Sequence, residues 1–427
     1  MVRQPDAKCT LPRVTQDSKS KNENARRDRI LTRDVVLVMT AALCYMSSNM
    51  IGTPLMPGYA GELGATGTVM GVVSGMMSIV SLFCRPIAGN LSDRVSKRLI
   101  VGIGSVLYLA SSIWYAFATS PGPLIAARMV NGVAFACCSV CLATWMAMLL
   151  PIRHMGAGMG IYGTVNTLAM AIGPAIGIEI RQLVGYRATF PLSAVLAVVM
   201  VAAVLLVRNG GAPPNRTNST VAATDDPQRS RSLPRRVLGA VIEPHVLPLA
   251  MAFMLFVTPY YATQSFLVEY ADARGFNVTV SLFFPIYAVA LLVLRVTLRD
   301  LFDRKSFRFF FVACSICMLL ALLGLDVMPN NWILAASAIL TACGYGIMSS
   351  ATQSQAVIIA GREHAGIANS TYYVGIDLGM TLGSLLGGFL YGNVGITWFY
   401  PIFMLSMPLA WVIYIASAHI IHPAHTR

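Results

Sequence analysis

Two ionisable residues sit where an apolar chain tolerates them least. Asp377 lies eleven residues into an apolar run at 366–390, about 16 Å deep at 1.5 Å per residue and so near the middle of a bilayer. Arg128 lies six residues into another run, 122–148. Charges at such depth are costly and mark functional sites. Desolvation favours the neutral carboxylic acid, which equips Asp377 to hold a proton and to release it when water or a cation reaches it. Arg128 is a candidate to tune that carboxyl or to touch a ligand, with snorkelling to the membrane surface as the plainer alternative. For Asp377 the plainer alternative is a static interhelical hydrogen bond, worth about 0.6–2 kcal/mol in a membrane. Gly375, Gly379, Gly383 and Gly387 recur every fourth residue, a stripe that admits close contact with an adjoining helix. Asp377 points roughly opposite, alongside Tyr373, Met380 and Ser384.

Polar and aromatic residues placed to line a cavity are Tyr45 and Asn49, Asn131, Tyr162 and Asn166, Tyr261 and Gln264, Tyr345 with Ser349 and Gln353, and Tyr373. Members three or four apart share a helix face, although any one of them is more often a packing contact. Glu62, Glu179, Glu269, Asp272 and Asp326 fall at helix ends away from the basic loops, with Glu269 the best candidate for an entrance residue. Enzymatic chemistry has no foothold: there is no phosphate-binding G-x-x-x-x-G-K-S loop, no carboxylate pair in a soluble fold and no activated serine or cysteine. The C-x-x-C spellings at Cys138/Cys141 and Cys314/Cys317 lie in apolar runs without a second ligand pair, so they read as packing residues. His419, His422 and His425 read as a frayed tail. No cofactor and no metal is expected.

The elements that must hold these residues are membrane helices. The 427 residues are 56% hydrophobic and 11% charged, with a mean hydropathy of +0.66, whereas a soluble domain carries about a quarter charged residues. Twelve apolar runs near 35–57, 67–88, 99–118, 122–148, 156–180, 188–207, 246–268, 279–298, 308–327, 331–359, 366–390 and 396–418 are each long enough to span a bilayer. They predict an all-α integral membrane protein organised as a basic tail (1–33), a six-helix bundle (34–207), a Gly/Pro/Thr-rich flexible linker (208–245), a second six-helix bundle (246–418) and a short tail (419–427). Threading from a cytoplasmic start puts all but four of the 31 Lys and Arg, namely Arg128, Arg181, Arg187 and Arg274, on one side. The positive-inside rule therefore accounts for the net charge of +13 and sets both termini in the cytoplasm. No soluble domain gathers a basic face for nucleic acid. The basic segments can touch anionic membrane lipid, and a solvated tail is the plainer reading.

The two halves are related. A shift of 210 positions pairs, without gaps, Arg85 with Arg295, Leu91 with Leu301, Asp93 with Asp303, Arg94 with Arg304, Arg98 with Arg308, His154 with His364, Gly156 with Gly366, Tyr162 with Tyr372, Gly173 with Gly383 and Gly177 with Gly387. Duplicated units with an even number of spans keep the same orientation, so their axis runs along the membrane normal and a substrate site lies between them near the midplane. Rocking one unit against the other opens that site to alternate sides, which argues for transport.

The loop after the second run reads Gly89-Asn90-Leu91-Ser92-Asp93-Arg94-Val95-Ser96-Lys97-Arg98. With this motif the chain resembles the major facilitator superfamily over essentially its full length. The physical logic is a tight turn in which Gly allows close backbone approach, Asp faces the positive end of a helix and the cations keep the loop inside. The second copy, Arg299 to Arg304 with Asp303 and Arg304 retained, has lost the Gly. Arg128-Met129-Val130-Asn131-Gly132 resembles the family's R-x-x-Q-G element, with Asn131 in place of Gln. Gly173-Pro174-Ala175-Ile176-Gly177 resembles the core of its antiporter motif, with Ala169 and Ile178 departing from the pattern. The stretch from Ser265 to Arg304 is similar to the drug-efflux and arabinose-efflux-like permeases.

The resemblance implies a secondary transporter of a bacterial-type plasma membrane, with proton-coupled efflux of a small organic compound as the preferred reading. Its partners are then the substrate, protons and lipid, and Gly89, Asp93, Arg94, Lys97, Arg98, Asp303, Arg304, Gly173, Pro174 and Gly177 are expected to serve conformational gating. Proton-coupled uptake of a nutrient is the alternative on the same scaffold, and a non-transporting receptor or scaffold is the alternative from another class.

Overall fold

A computed structural model describes residues 31–151, 154–211, 243–298, 301, 304–361 and 365–421, without the side chains of 93, 156–157 and 365–366. The tail before residue 31, most of the 208–245 linker, Asp303, His364 and the chain beyond 421 lie outside that set. The described residues form helices and connecting turns, with no strand among them.

The long helices are α1 (Arg33–Glu62), α2 (Gly67–Arg94), α3 (Lys97–Phe117), α4 (Pro121–Leu149), α7 (Leu247–Arg274), α8 (Val280–Thr297), α9 (Phe307–Val327), α10 (Asn331–Ala360), α11 (Ala365–Phe389) and α12 (Ile396–Ala416). Between α4 and α7 the chain is helical on both sides of Gly185, from Met155 to Leu206. At 1.5 Å per residue that helix would measure about 78 Å, more than twice the hydrocarbon thickness. It breaks at Gly185, whose φ of 81° is open to glycine at no steric cost. The two arms, α5 (155–184) and α6 (186–206), are the fifth and sixth spans.

Local chemistry sets the ends. Thr32, Ser96 and Asn330 accept the backbone N–H three residues on and so cap α1, α3 and α10. Gly275 closes α7 in the left-handed conformation. Pro54 and Pro57 place a 3₁₀ turn, Thr53–Leu55, inside α1, and α10 carries a π-helical segment at Ala342–Ile347. Such segments concentrate at functional sites.

Helices α1–α6 pack on one another, as do α7–α12, and the two sets meet chiefly along α2 with α11 and α5 with α8. The glycine stripe of α11 fits against α7: a Cβ added to Gly375 would lie 2.7 Å from the Ala250 carbonyl, and one on Gly379 2.9 Å from that of Met254. A second glycine face on α11 meets α2, where a Cβ on Gly71 would lie 2.7 Å from the Ser384 carbonyl and 2.9 Å from Gly388 Cα.

The beginning of the linker is fixed rather than flexible. The Asp34 carboxylate accepts the N–H groups of Arg208 (3.1 Å) and Asn209 (2.9 Å). Lys97 and Arg98 donate their backbone N–H groups to the Gly211 and Gly210 carbonyls, and Trp145 Nε1 donates to Asn209 O at 3.0 Å. These contacts mark the linker end of the molecule; the turns at 63–66 and 275–279 mark the far end.

Candidate functional site

Asp377 is fully buried on α11, and the cation that answers it comes from the other half of the molecule. Arg85 Nε on α2 lies 2.6 Å from Asp377 Oδ2, with the arginine side chain 15% exposed and the aspartate 0%. The Nε–H itself is directed at Ser81 Oγ, 3.3 Å away, and neither carboxylate oxygen receives a directed hydrogen bond. A close charge contact therefore holds the pair. A buried pair of this kind returns little net stability against its desolvation cost, while loss of one partner is expensive, so such a contact suits a latch better than a staple. Pro86 follows Arg85 inside α2 and removes one helical hydrogen bond at this level.

The guanidinium is also the keystone of an aromatic wall. It lies 5.4 Å from the Phe135 ring of α4 and 5.2 Å from the Tyr373 ring of α11, within cation–π range of both. On the first side, Phe135 contacts Tyr45, which meets Tyr108 edge-on at 5.4 Å. On the second, Tyr373 meets Tyr372, which stacks on Phe253; Phe253 in turn stacks on Tyr345. Tyr345 sits in the π segment of α10 and stacks on Tyr260 with centroids 3.8 Å apart. Tyr261 packs edge-on against both Tyr260 and Tyr345.

Of the residues singled out in the sequence, the structure thus gathers Asp377, Tyr373, Tyr345, Tyr261 and Tyr45 around one interface. Tyr162 and Asn166 interact with each other on α5. Gln264 is spent on a hydrogen bond to the Tyr260 hydroxyl, 2.7 Å, and Ser349 bonds the Tyr372 hydroxyl at 2.6 Å.

Arg128, Asn49 and Asn131 go elsewhere. Arg128 donates to the Val73 and Ser74 carbonyls of α2 at 3.2 and 3.0 Å and is not joined to Asp377. With Asn49, Asn131, Tyr108 and Tyr115 it lines a hole of about 10 Å³ inside the first bundle. Asn131 donates to Ser111 Oγ at 3.3 Å. Their polarity serves the interior of one bundle because α4 turns that face toward α2 and α3, an orientation that periodicity alone did not fix.

Of the motif residues, Lys97 and Arg98 anchor the first linker residues, Arg98 also through its guanidinium to the Leu205 carbonyl. Gly173 and Gly177 seat α5 on α1, where added Cβ atoms would lie 2.8 Å from Met50 Cβ and 2.9 Å from the Ile51 carbonyl. Pro174 lies within the same helix. Gly89 corrects the tight-turn reading: it is helical, α2 continues to Arg94, and a Cβ there would meet nothing within 4 Å. Arg94 and Arg304 are exposed. The Asp93 side chain and Asp303 lie outside the described residues.

The far end is sealed between the bundles. Besides the glycine seam of α2 and α11, Asn393 donates to Thr68 Oγ1 at 2.9 Å, Arg181 of α5 pairs with Asp272 of α7 at 3.4 Å, and Ser281 donates to Glu179. Glu269 is buried over Gly58, with neither oxygen hydrogen-bonded, beside a cavity of about 420 Å³ that Arg181 and Asp272 also line. Toward the linker end, Arg85 with Asp377 is the one ion pair between the bundles among the described residues.

Two helical bundles of a multi-pass membrane protein, with an ion pair at the seam between them, define a transporter class. The family described as Major Facilitator Superfamily matches residues 37–372 and 300–424, and the chain belongs to that superfamily. It is 23% identical over 365 residues to the quinolone resistance protein NorA of Staphylococcus aureus, covering 83% of this chain and 89% of that one. It is 30% identical over 138 residues to the staphylopine export protein of the same organism, 32% of this chain and 34% of that one. Among solved structures, a POT family transporter in complex with a thioalcohol-conjugated peptide gives a TM-score of 0.73 at 15% identity, covering 91% of this chain and 96% of that one. The nucleoside transporter NupG gives 0.70 at 14%, covering 91% and 100%. The protein is a major facilitator transporter and not an enzyme.

Proposed function

We propose that this transporter exports a small organic compound by alternating access, driven by protons, from a bacterial plasma membrane in which both termini face the cytoplasm. One observation carries the reading: the buried Arg85–Asp377 pair spans the two bundles. Parting the bundles along α2 and α11 strips the guanidinium from Asp377 and leaves a carboxylate in a low-dielectric seam, which is costly. A proton on Asp377 removes that cost, so proton occupancy and bundle movement are tied to one residue. The basic loops put the linker end in the cytoplasm, and the sealed far end then faces outward. The chain's likeness to the staphylopine export protein favours export.

Arg128, which lies apart from Asp377, serves this cycle by fixing α4 to α2. The motif residues near Lys97 and Arg98 serve it by clamping α3, α6 and the linker into one moving body.

The test is accumulation of a cationic dye such as ethidium, with other fluorescent probes beside it, in an efflux-deficient bacterium. Expression lowers accumulation, and a protonophore or Asp377→Asn restores it. Raised accumulation on expression points to uptake, and export indifferent to both treatments overturns the coupling.

A further inference from the structure

The 210-residue shift makes a comparison available that neither half supplies alone. Arg85 and Arg295 are equivalent, and so are the helix pairs α2/α11 and α8/α5, the two seams along which the bundles meet. The position equivalent to Asp377 is Thr167, bracketed by the matched pairs Tyr162/Tyr372 and Gly173/Gly383. Each seam thus carries an arginine at equivalent repeat positions, but only on α2/α11 does a carboxylate meet it; Glu179 of α5 is taken up by Ser281 at the far end. The Thr167 hydroxyl is turned back on its own helix and donates to the Gly163 carbonyl at 2.9 Å.

Arg295 faces the interior. The outward side of α8 is marked by Val289, Val293 and Val296, which are 60%, 54% and 77% exposed. Arg295 lies four, seven and eight residues after Leu291, Ala288 and Tyr287, all buried, and that spacing puts it on their face. It acts electrostatically on Tyr287, Tyr345 and Tyr372, part of the aromatic wall already described. It stands in the last turn of α8 and is exposed at the linker end of that face. No described carboxylate pairs with it. Asp34 holds linker amides, and Glu269 and Asp272 belong to the far end. Among the described residues, the faces of α2, α8 and α11 between the bundles thus present two arginines and one aspartate, and Arg295 has no carboxylate partner.

We propose that the transported molecule is an organic anion, a carboxylate on an aromatic body, whose carboxylate takes at Arg295 the place that Asp377 takes at Arg85. A guanidinium offers such a group two parallel hydrogen bonds, and the tyrosine wall offers the body a stacking surface. Substrate then completes the second latch across α5 and α8, which links occupancy to bundle closure. The inference rests on the transport reading above and gives it a substrate class.

Purified full-length protein in nanodiscs is titrated with 2-naphthoate, 2-naphthamide and 2-naphthylmethylammonium, following tryptophan fluorescence. Naphthoate is expected to bind at least about tenfold more tightly than the other two, the scale of one charge-assisted contact. Arg295→Gln loses that preference, and so does Thr167→Asp, which supplies the missing carboxylate from the chain. Thr164→Asp, the same charge three residues away, leaves it intact. Binding of the amide or ammonium at equal strength, an unchanged naphthoate affinity in Arg295→Gln, or no naphthoate binding at millimolar concentration overturns the proposal. Flux in proteoliposomes separates the two readings. Naphthoate that binds through Arg295 but is never moved sinks the transport reading and leaves the anion site; a cationic dye that is moved while naphthoate fails to bind does the reverse.

Discussion

Replacing Arg85 with Gln removes the only cation in contact with a carboxylate that has no exposed surface and no directed hydrogen bond. Loss of one partner from a buried pair costs about 3–5 kcal/mol, because the remaining charge is left uncompensated. The reverse change, Asp377→Asn, is milder. Arg85 is 15% exposed and rests on two rings, so its guanidinium can shift toward the linker end, and about 1–2 kcal/mol is expected. In the double variant Arg85→Gln/Asp377→Asn no charge remains to be stranded. Its loss should match that of Asp377→Asn alone, leaving a coupling free energy of about 3–5 kcal/mol in the cycle. The assay is reversible unfolding of the four proteins in bicelles by titration with a denaturing detergent, read by tryptophan fluorescence. If the two single losses simply add in the double variant, the residues are independent and the latch argument fails.

Three further outcomes follow from contacts elsewhere. Gly71→Leu drives a side chain into the Ser384 carbonyl at the sealed seam and should raise maleimide labelling of a cysteine placed at the buried Glu269 position severalfold, whereas Gly89→Leu, which meets open space, should not. Arg128→Gln gives up two bonds to buried carbonyls and should cost about 2–3 kcal/mol in the same unfolding assay without changing the proton dependence of dye export. Asp34→Ala removes the acceptor of two linker amides at a cost of about 1 kcal/mol and should speed proteolytic cutting near residues 208–211; an unchanged rate would mean that the linker start is held by Lys97, Arg98 and Trp145 without it.

Helix number and repeat were legible because both are carried by composition and by one offset, 210. The boundary between the fifth and sixth spans rests on a single dihedral at Gly185, which no hydropathy average can register. Asp377 stood out because a carboxyl in an apolar run is conspicuous. Its partner did not: Arg85 reads as one more inside-loop charge, since it stands nine residues before the end of a helix whose length the sequence underestimates. The signal was present in the spacing of Phe83 and Ile87 on the outward face, which puts Arg85 opposite. Arg128, Asn49 and Asn131 were assigned to the chamber because polarity shows that a face is not lipid-facing, yet it does not say whether that face meets its own bundle or the other. The α11 face toward α2 is harder to read, because Gly388 and Gly392 stand one and five residues past the four-residue stripe that ends at Gly387 and belong to a different face.

The account stands on Asp377 setting, through its proton, how the bundles sit against each other. Spin labels at Leu91→Cys on α2 and Ile358→Cys on α10, measured by pulsed dipolar spectroscopy in nanodiscs at neutral and acidic pH, test this directly. The account predicts a distance distribution that shifts on acidification in the otherwise wild-type protein and that already occupies the acid position at both pH values in Asp377→Asn. An Asp377→Asn protein that retains the full pH response would contradict it.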